Sequence, residues 1–223
     1  NKGGVIMTYA KFKRLFDFIF AFILLSVSSP FFVLIPVLIK MEDSKGSVIF
    51  KQQRIGENEH LFTLYKFRSM RTELYKEERR LTDTERMLRI GRFIRKTSLD
   101  ELPQLVNILK GEMSFIGPRP LLKEYLPYYT ESEKFRHDIK PGISGWAQIN
   151  GRNNVTWEEK FSLDIYYVKN ISLTLDAKIF FVTIKKVLLG SDIVDDVGLE
   201  NTQTLVDYRL KQNNLSHNES TRK

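Results

Sequence analysis

Cysteine is absent from the sequence, which excludes a disulfide framework and a cysteine zinc site and suits a reducing compartment. Histidine is scarce as well: His60, His137 and His217 are scattered, with no metal-ligand spacing among them. Neither a Walker loop nor a Gly-x-Gly-x-x-Gly fingerprint occurs, so the usual nucleotide cradles are missing. Any phosphate site has to be built from separate Arg and Lys side chains. No internal repeat and no second globular unit are visible in the 223 residues, a length that allows one well-filled domain plus a membrane element. Acidic residues are outnumbered, and the net charge of +8 points to anionic partners: phosphorylated substrates, acidic lipid head groups or nucleic acid.

One stretch lacks charge altogether. Residues 18–39 read FIFAFILLSVSSPFFVLIPVLI, long enough at 1.5 Å per residue to cross a hydrocarbon core of about 30 Å. Ser28-Ser29-Pro30 interrupts it near the midpoint, where proline removes a backbone donor and disfavours helical geometry at Ser29. Basic residues flank both ends, Lys11, Lys13 and Arg14 before it and Lys40, Lys45, Lys51 and Arg54 after it. Since positive flanks prefer the cytoplasmic side, they cannot choose a crossing direction. A re-entrant wedge resolves the tie: arms over 18–28 and 31–39 each reach roughly 14–17 Å, about half the core. The Ser28 and Ser29 hydroxyls are the expected partners for backbone groups freed at the break. A kinked transmembrane helix is the competing reading.

Residues 1–7 are expected to be an extraneous start, with Met7 a natural beginning. A wedge follows over 8–40, a catalytic domain over 41–194 and a polar tail, expected to be mobile, over 195–223. Within the domain, SVIFKQQRIG and HLFTLYKFRSM alternate in polarity around Glu57-Asn58-Glu59 and predict a β-hairpin. Residues 72–97 predict one highly charged helix, 98–109 a short helix, and 157–168 and 173–189 two more. The last mixes apolar residues with Lys178, Lys185 and Lys186, a pattern that fits either the head-group plane or the domain core. The whole predicts an α+β fold: a broken N-terminal membrane helix, a small hairpin or sheet, several short helices, and interfacial amphipathic helices.

The densest chemistry lies in RKTSLDELPQLVNILKGEMSFIGPRP. Ser98-x-x-Glu101 reads as a capping box, which alone needs no catalytic story. Its setting does: Asp100 at a predicted helix N-terminus, Arg95 and Lys96 before it, and Arg119 between two prolines after it. The free amides and dipole of a helix start favour an ionised carboxylate and a nearby phosphate. A carboxylate attacks phosphorus only once the phosphate charge is neutralised, work done by arginines and a divalent cation. Asp100 and Glu101, about 100° apart on a helix, suit distinct roles rather than a face-to-face pair. Lys66 in YKFRSM and Arg152 in NGRN are further candidates for a polyanion site.

These residues also carry a resemblance. KRLFDFIFA, SSP, RIG, FTLYKFRSM, TSLDELPQLVNILKGEMSFIGPRP, KPGISGWAQINGRN and FSLDIYYVKN, in this order over residues 7–194, resemble the monotopic phosphoglycosyl transferases, or bacterial sugar transferases. The resemblance implies transfer of a phosphosugar from a UDP-sugar to undecaprenyl phosphate at the cytoplasmic face of the inner membrane, with Mg²⁺ and release of UMP. It implies ping-pong catalysis, with Asp100 as nucleophile and metal ligand and Glu101 as metal partner. Lys66, Arg95, Arg119 and Arg152 correspond to phosphate- or uridine-binding positions, and Ser29-Pro30 to the break of a re-entrant helix that meets membrane phospholipids. Among the family the chain looks like the minimal form, most similar to the members that begin N-linked protein glycosylation. The implied donor is UDP-N,N′-diacetylbacillosamine, with UDP-N-acetylhexosamines or UDP-galactose as alternatives. A membrane-tethered, basic nucleic-acid-binding protein is the rival from a different class, although no nucleic-acid module is present.

Overall fold

The computed structural model describes residues 2–151, 155–189 and 204–220. Its fold is α+β. Helix α1 (Lys2–Val27) and helix α2 (Phe31–Glu42) meet at the Ser-Pro break. Among the described residues no single helix is long and apolar enough to cross a membrane, but Phe12–Val27 and Phe31–Glu42 together form one bent apolar pair, turned by 59°. The first arm exceeds the sequence expectation, because its 26 residues run well back into the polar flank. That flank has partners in the domain: Arg14 donates to the carbonyls of Ile108 (2.5 Å) and Leu109 (2.8 Å), and Lys13 pairs with Asp176 at 2.7 Å.

Strands β1 (Ile49–Ile55) and β2 (Leu61–Phe67) form the predicted antiparallel hairpin, with Phe50 opposite Lys66, Gln52 opposite Leu64 and Arg54 opposite Phe62. The single helix predicted over 72–97 is not formed. A two-residue hairpin, β3 (Tyr75–Lys76) and β4 (Arg79–Arg80), turns through Glu77 and Glu78 at positive φ, followed by α3 (Asp83–Arg86) and α4 (Arg89–Lys96). The capping box of Thr82 with Glu85 starts a separate helix, so local caps override the charge pattern. Helix α4 presses on the end of β2 so closely that a Cβ on Gly91 would lie 1.9 Å from the Ser69 carbonyl oxygen.

Helix α5 (Gln104–Lys110) leads to β5 (Ser114–Ile116), and after a 3₁₀ turn over Lys123–Tyr128 come α6 (Glu131–Lys134) and β6 (Gly142–Ser144). Strands β5 and β6 pair in parallel; a Cβ on Gly142 would meet the Gly117 nitrogen at 2.1 Å, so this approach requires glycine. Helices α7 (Trp146–Asn150), α8 (Trp157–Lys169), α9 (Leu173–Leu189) and α10 (Leu205–Ser220) complete the chain. Helix α9 combines the two expectations for it: Ile179 is buried with Ile116 and Tyr167, while Phe181 and Leu188 are exposed.

Where a mobile polar tail was expected, α10 docks on the domain. Leu205 is fully buried with Ile55, Tyr125, Tyr129 and Phe161, Arg209 bridges Glu133 and Glu158, and Tyr208 donates to Glu158. One buried leucine and a polar network outweigh the helix's weakly apolar composition.

Candidate active site

Lys66 lies near the end of β2, and its ammonium donates to Glu101 Oε1 at 2.9 Å and stands 4.0 Å from Asp100 Oδ2. Arg119 adds a second cation 3.8 Å from Glu101 Oε1. Asp100 is only 7% exposed, and a buried carboxylate is costly unless a cation accompanies it. The structure thus brings together four of the predicted residues: Asp100, Glu101, Lys66 and Arg119. Arg95 is tied through Nε to Ser69 Oγ at 2.8 Å, at the end of β2. Arg152 lies outside the described residues.

Two expectations at the dyad are corrected. Ser98 is not a capping residue: its backbone is left-handed (φ 56°, ψ 16°), its side chain makes no cap bond, and Glu101 turns to Lys66 instead. Such a backbone costs a non-glycine residue about 1–2 kcal/mol, strain placed two residues before Asp100. The helix also starts later than expected. Leu99–Glu101 forms a 3₁₀ turn and α5 begins only at Gln104, behind Pro103, so the dyad precedes the helix rather than opening it. The positive field at the carboxylates therefore comes from the Lys66 and Arg119 side chains.

Arg119 is held by its own backbone. Its carbonyl accepts from Arg136 at 2.7 Å, and Arg136 in turn donates to Asp164 of α8 from Nε (3.1 Å) and from the terminal nitrogen (2.8 Å). Beside them, burial and then the Arg136 charge drive the His137 pKa down to about 3. His137 is neutral at any physiological pH, so this imidazole carries no charge toward a phosphate.

A pocket opens beside the dyad, lined by Arg54, Lys66, Glu101, Gln104, Arg119 and Gly142 among others. Arg54 and Gln104 were not singled out from sequence. For Arg54 the signal was present: hairpin alternation puts it on the same face as Lys66. For Gln104 there was none, because its place depends on where α5 starts. Among the described residues no cluster of three or more His, Asp or Glu side chains exists that would hold a metal by itself. The two carboxylates fit Mg²⁺ in the way it is commonly held, by one or two carboxylates plus substrate phosphates.

Residues 8–190 match the bacterial sugar transferase family. The chain belongs to that family. It is 50% identical over 181 residues to the uncharacterized sugar transferase EpsL of Bacillus subtilis (strain 168), covering 81% of this chain and 89% of that one. It is 41% identical over 190 residues to the UDP-N-acetylgalactosamine-undecaprenyl-phosphate N-acetylgalactosaminephosphotransferase of Aeromonas hydrophila. To the undecaprenyl-phosphate galactose phosphotransferase of Salmonella typhimurium (strain LT2) it is 39% identical over 193 residues. These two matches cover 82% and 79% of this chain, but only 45% and 40% of those longer proteins.

Proposed function

We propose that the chain moves a sugar phosphate from a UDP-sugar to undecaprenyl phosphate, with Asp100 as the nucleophile. The observation that carries this reading is a buried carboxylate pair sharing one lysine, beside a pocket that adds Arg54 and Arg119. In the first step an Asp100 oxygen attacks the sugar-bearing phosphorus, a bond forms between them, and the bond from that phosphorus to the bridging oxygen breaks. UMP departs with the electron pair. In the second step a phosphate oxygen of undecaprenyl phosphate attacks the same phosphorus and displaces the Asp100 carboxylate, giving undecaprenyl diphosphosugar. Lys66 and Arg119 offset the phosphate charge that would otherwise repel the attacking carboxylate. Arg95 and Arg152 are further phosphate-binding candidates in this reading. Mg²⁺ held by Asp100, Glu101 and the donor diphosphate would supply additional charge neutralisation.

The names of the two functionally described relatives favour UDP-N-acetylhexosamine or UDP-galactose as donor over UDP-N,N′-diacetylbacillosamine. The bent α1–α2 pair, with Phe16, Phe22, Val27 and Val33 exposed, supports a wedge in one leaflet at the cytoplasmic face of the inner membrane. No observation favours the nucleic-acid reading, since Lys66 and Arg119 face carboxylates rather than forming an open strip.

The test is UMP release from a panel of UDP-sugars with undecaprenyl phosphate and Mg²⁺. One donor is expected to turn over, and Asp100→Asn to lower the rate by about a thousandfold or more. A variant with normal turnover sinks the nucleophile; a panel without turnover sinks the reaction.

A further inference from the structure

The two substrates proposed above differ physically: one is a water-soluble nucleotide sugar, the other a phosphate on a long apolar chain. Both must bring a phosphate to Asp100. The β1–β2 hairpin offers two unlike approaches, because Phe50, Lys66 and Arg54 share one of its faces, with Phe50 directly across from Lys66. Cross-strand partners have Cβ atoms about 5 Å apart, so the Phe50 ring borders the lysine that holds the dyad.

The hairpin ends have different surroundings. At the Phe50 end, neighbouring Ile49 packs with Ile35 and Ile39 of α2, and the Phe67 ring lies 5.4 Å from that of Phe32. This end abuts the apolar helix pair. At the other end Ile55 packs with Leu121 and Tyr125 of the domain, and Arg54, Gln104 and Arg119 converge on the pocket. Gln104 is only 3% exposed yet lines that pocket, where an amide can read polar groups. Phe50, by contrast, is 45% exposed. A solvent-facing aromatic ring at the mouth of a charged site gains by burial under an apolar ligand.

From this arrangement we infer that the substrates take opposite ends of the hairpin face. The nucleotide occupies the Arg54–Gln104 end, and the first isoprene units of the acceptor lie across Phe50, with Lys66 between them. The inference rests on the transfer reaction proposed above. It adds a contact for the apolar chain and a separation of the two sites.

Steady-state kinetics of the full chain in detergent or lipid test it. Phe50→Ala is expected to raise KM for undecaprenyl phosphate about tenfold, and Phe50→Leu, which keeps an apolar contact, about twofold or less. Both should leave KM for the UDP-sugar and the donor-only burst of UMP unchanged. Arg54→Gln should show the reverse split, raising the donor KM about tenfold and leaving the acceptor KM alone. A higher donor KM in Phe50→Ala would mean that the ring serves the nucleobase and would overturn the assignment, as would an unchanged acceptor KM. As a measurement independent of the alanine variant's folding, a benzophenone side chain introduced at position 50 should crosslink undecaprenyl phosphate and not the UDP-sugar. Crosslinking to the donor alone, or to neither, sinks the inference. A wild type that releases no UMP from any donor overturns the reaction itself, whereas an active wild type with an indifferent Phe50 overturns this assignment only.

Discussion

At the level of single residues the site depends on one lysine. Lys66 touches Glu101 at 2.9 Å across 35 positions of sequence and reaches toward Asp100 as well, so it compensates a carboxylate that could not otherwise stay buried and ionised. Ser98 adds a left-handed backbone just before the dyad, which turns Glu101 away from a helix cap and toward that lysine. Nearby, His137 makes a measurable prediction. Its pKa is depressed to about 3, so below the ordinary value near 6.5 the unfolded chain binds a proton that the folded chain refuses. Stability therefore falls as pH drops from about 6.5 toward 3. Replacing His137 with Gln removes this contribution. Unfolding measured in detergent at pH 7 and pH 5 should show about 2 kcal/mol less loss in the variant than in the wild type. An equal loss in both would refute the depressed pKa.

Among the elements, the α1–α2 break has an identifiable cause. Pro30 supplies no N–H, and Ser29 and Phe31 fall back on tighter bonds to the Ser26 (3.3 Å) and Ser28 (2.9 Å) carbonyls. The Ser28 hydroxyl donates to the Leu24 carbonyl at 2.6 Å, as its position near the break suggested, and Ser26, rather than Ser29, supplies the second such bond, to Phe22 at 2.9 Å. Pro30→Ala restores a donor opposite Ser26 and should straighten the pair. Because the chain has no cysteine, single cysteines placed before α1 and after α2 report sidedness cleanly. Labelling is expected from one side in the wild type and from both sides in the variant. Wild-type ends on opposite sides would refute the wedge.

Considered as a whole, the molecule is closed by contacts between distant segments. Helix α10 lies beyond the stretch shared with the family, yet Leu205 fills the cluster formed by β1, the Lys123–Tyr128 turn and α8. Leu205→Ala should destabilise the protein by about 2–5 kcal/mol, read as a fall in the detergent melting temperature. A variant melting with the wild type would show that α10 does not hold that cluster. The sequence alone was enough for the chemistry and for the local elements. Alternating polarity identifies the β1–β2 hairpin, a charge-free run broken by Ser-Pro identifies the bent helix pair, and the Ser-Leu-Asp-Glu segment between basic residues identifies the dyad. Each of these signals is written in neighbouring residues, where period and residue type suffice. Tertiary structure alone decided that Glu101 bonds Lys66 and not Ser98, that Arg54 and Gln104 join the pocket, and that α10 is docked. The physical reason is the same in each case. A cap, a pocket wall and a buried leucine are chosen by competition between local partners and distant ones, and only the folded chain brings the distant partners within reach.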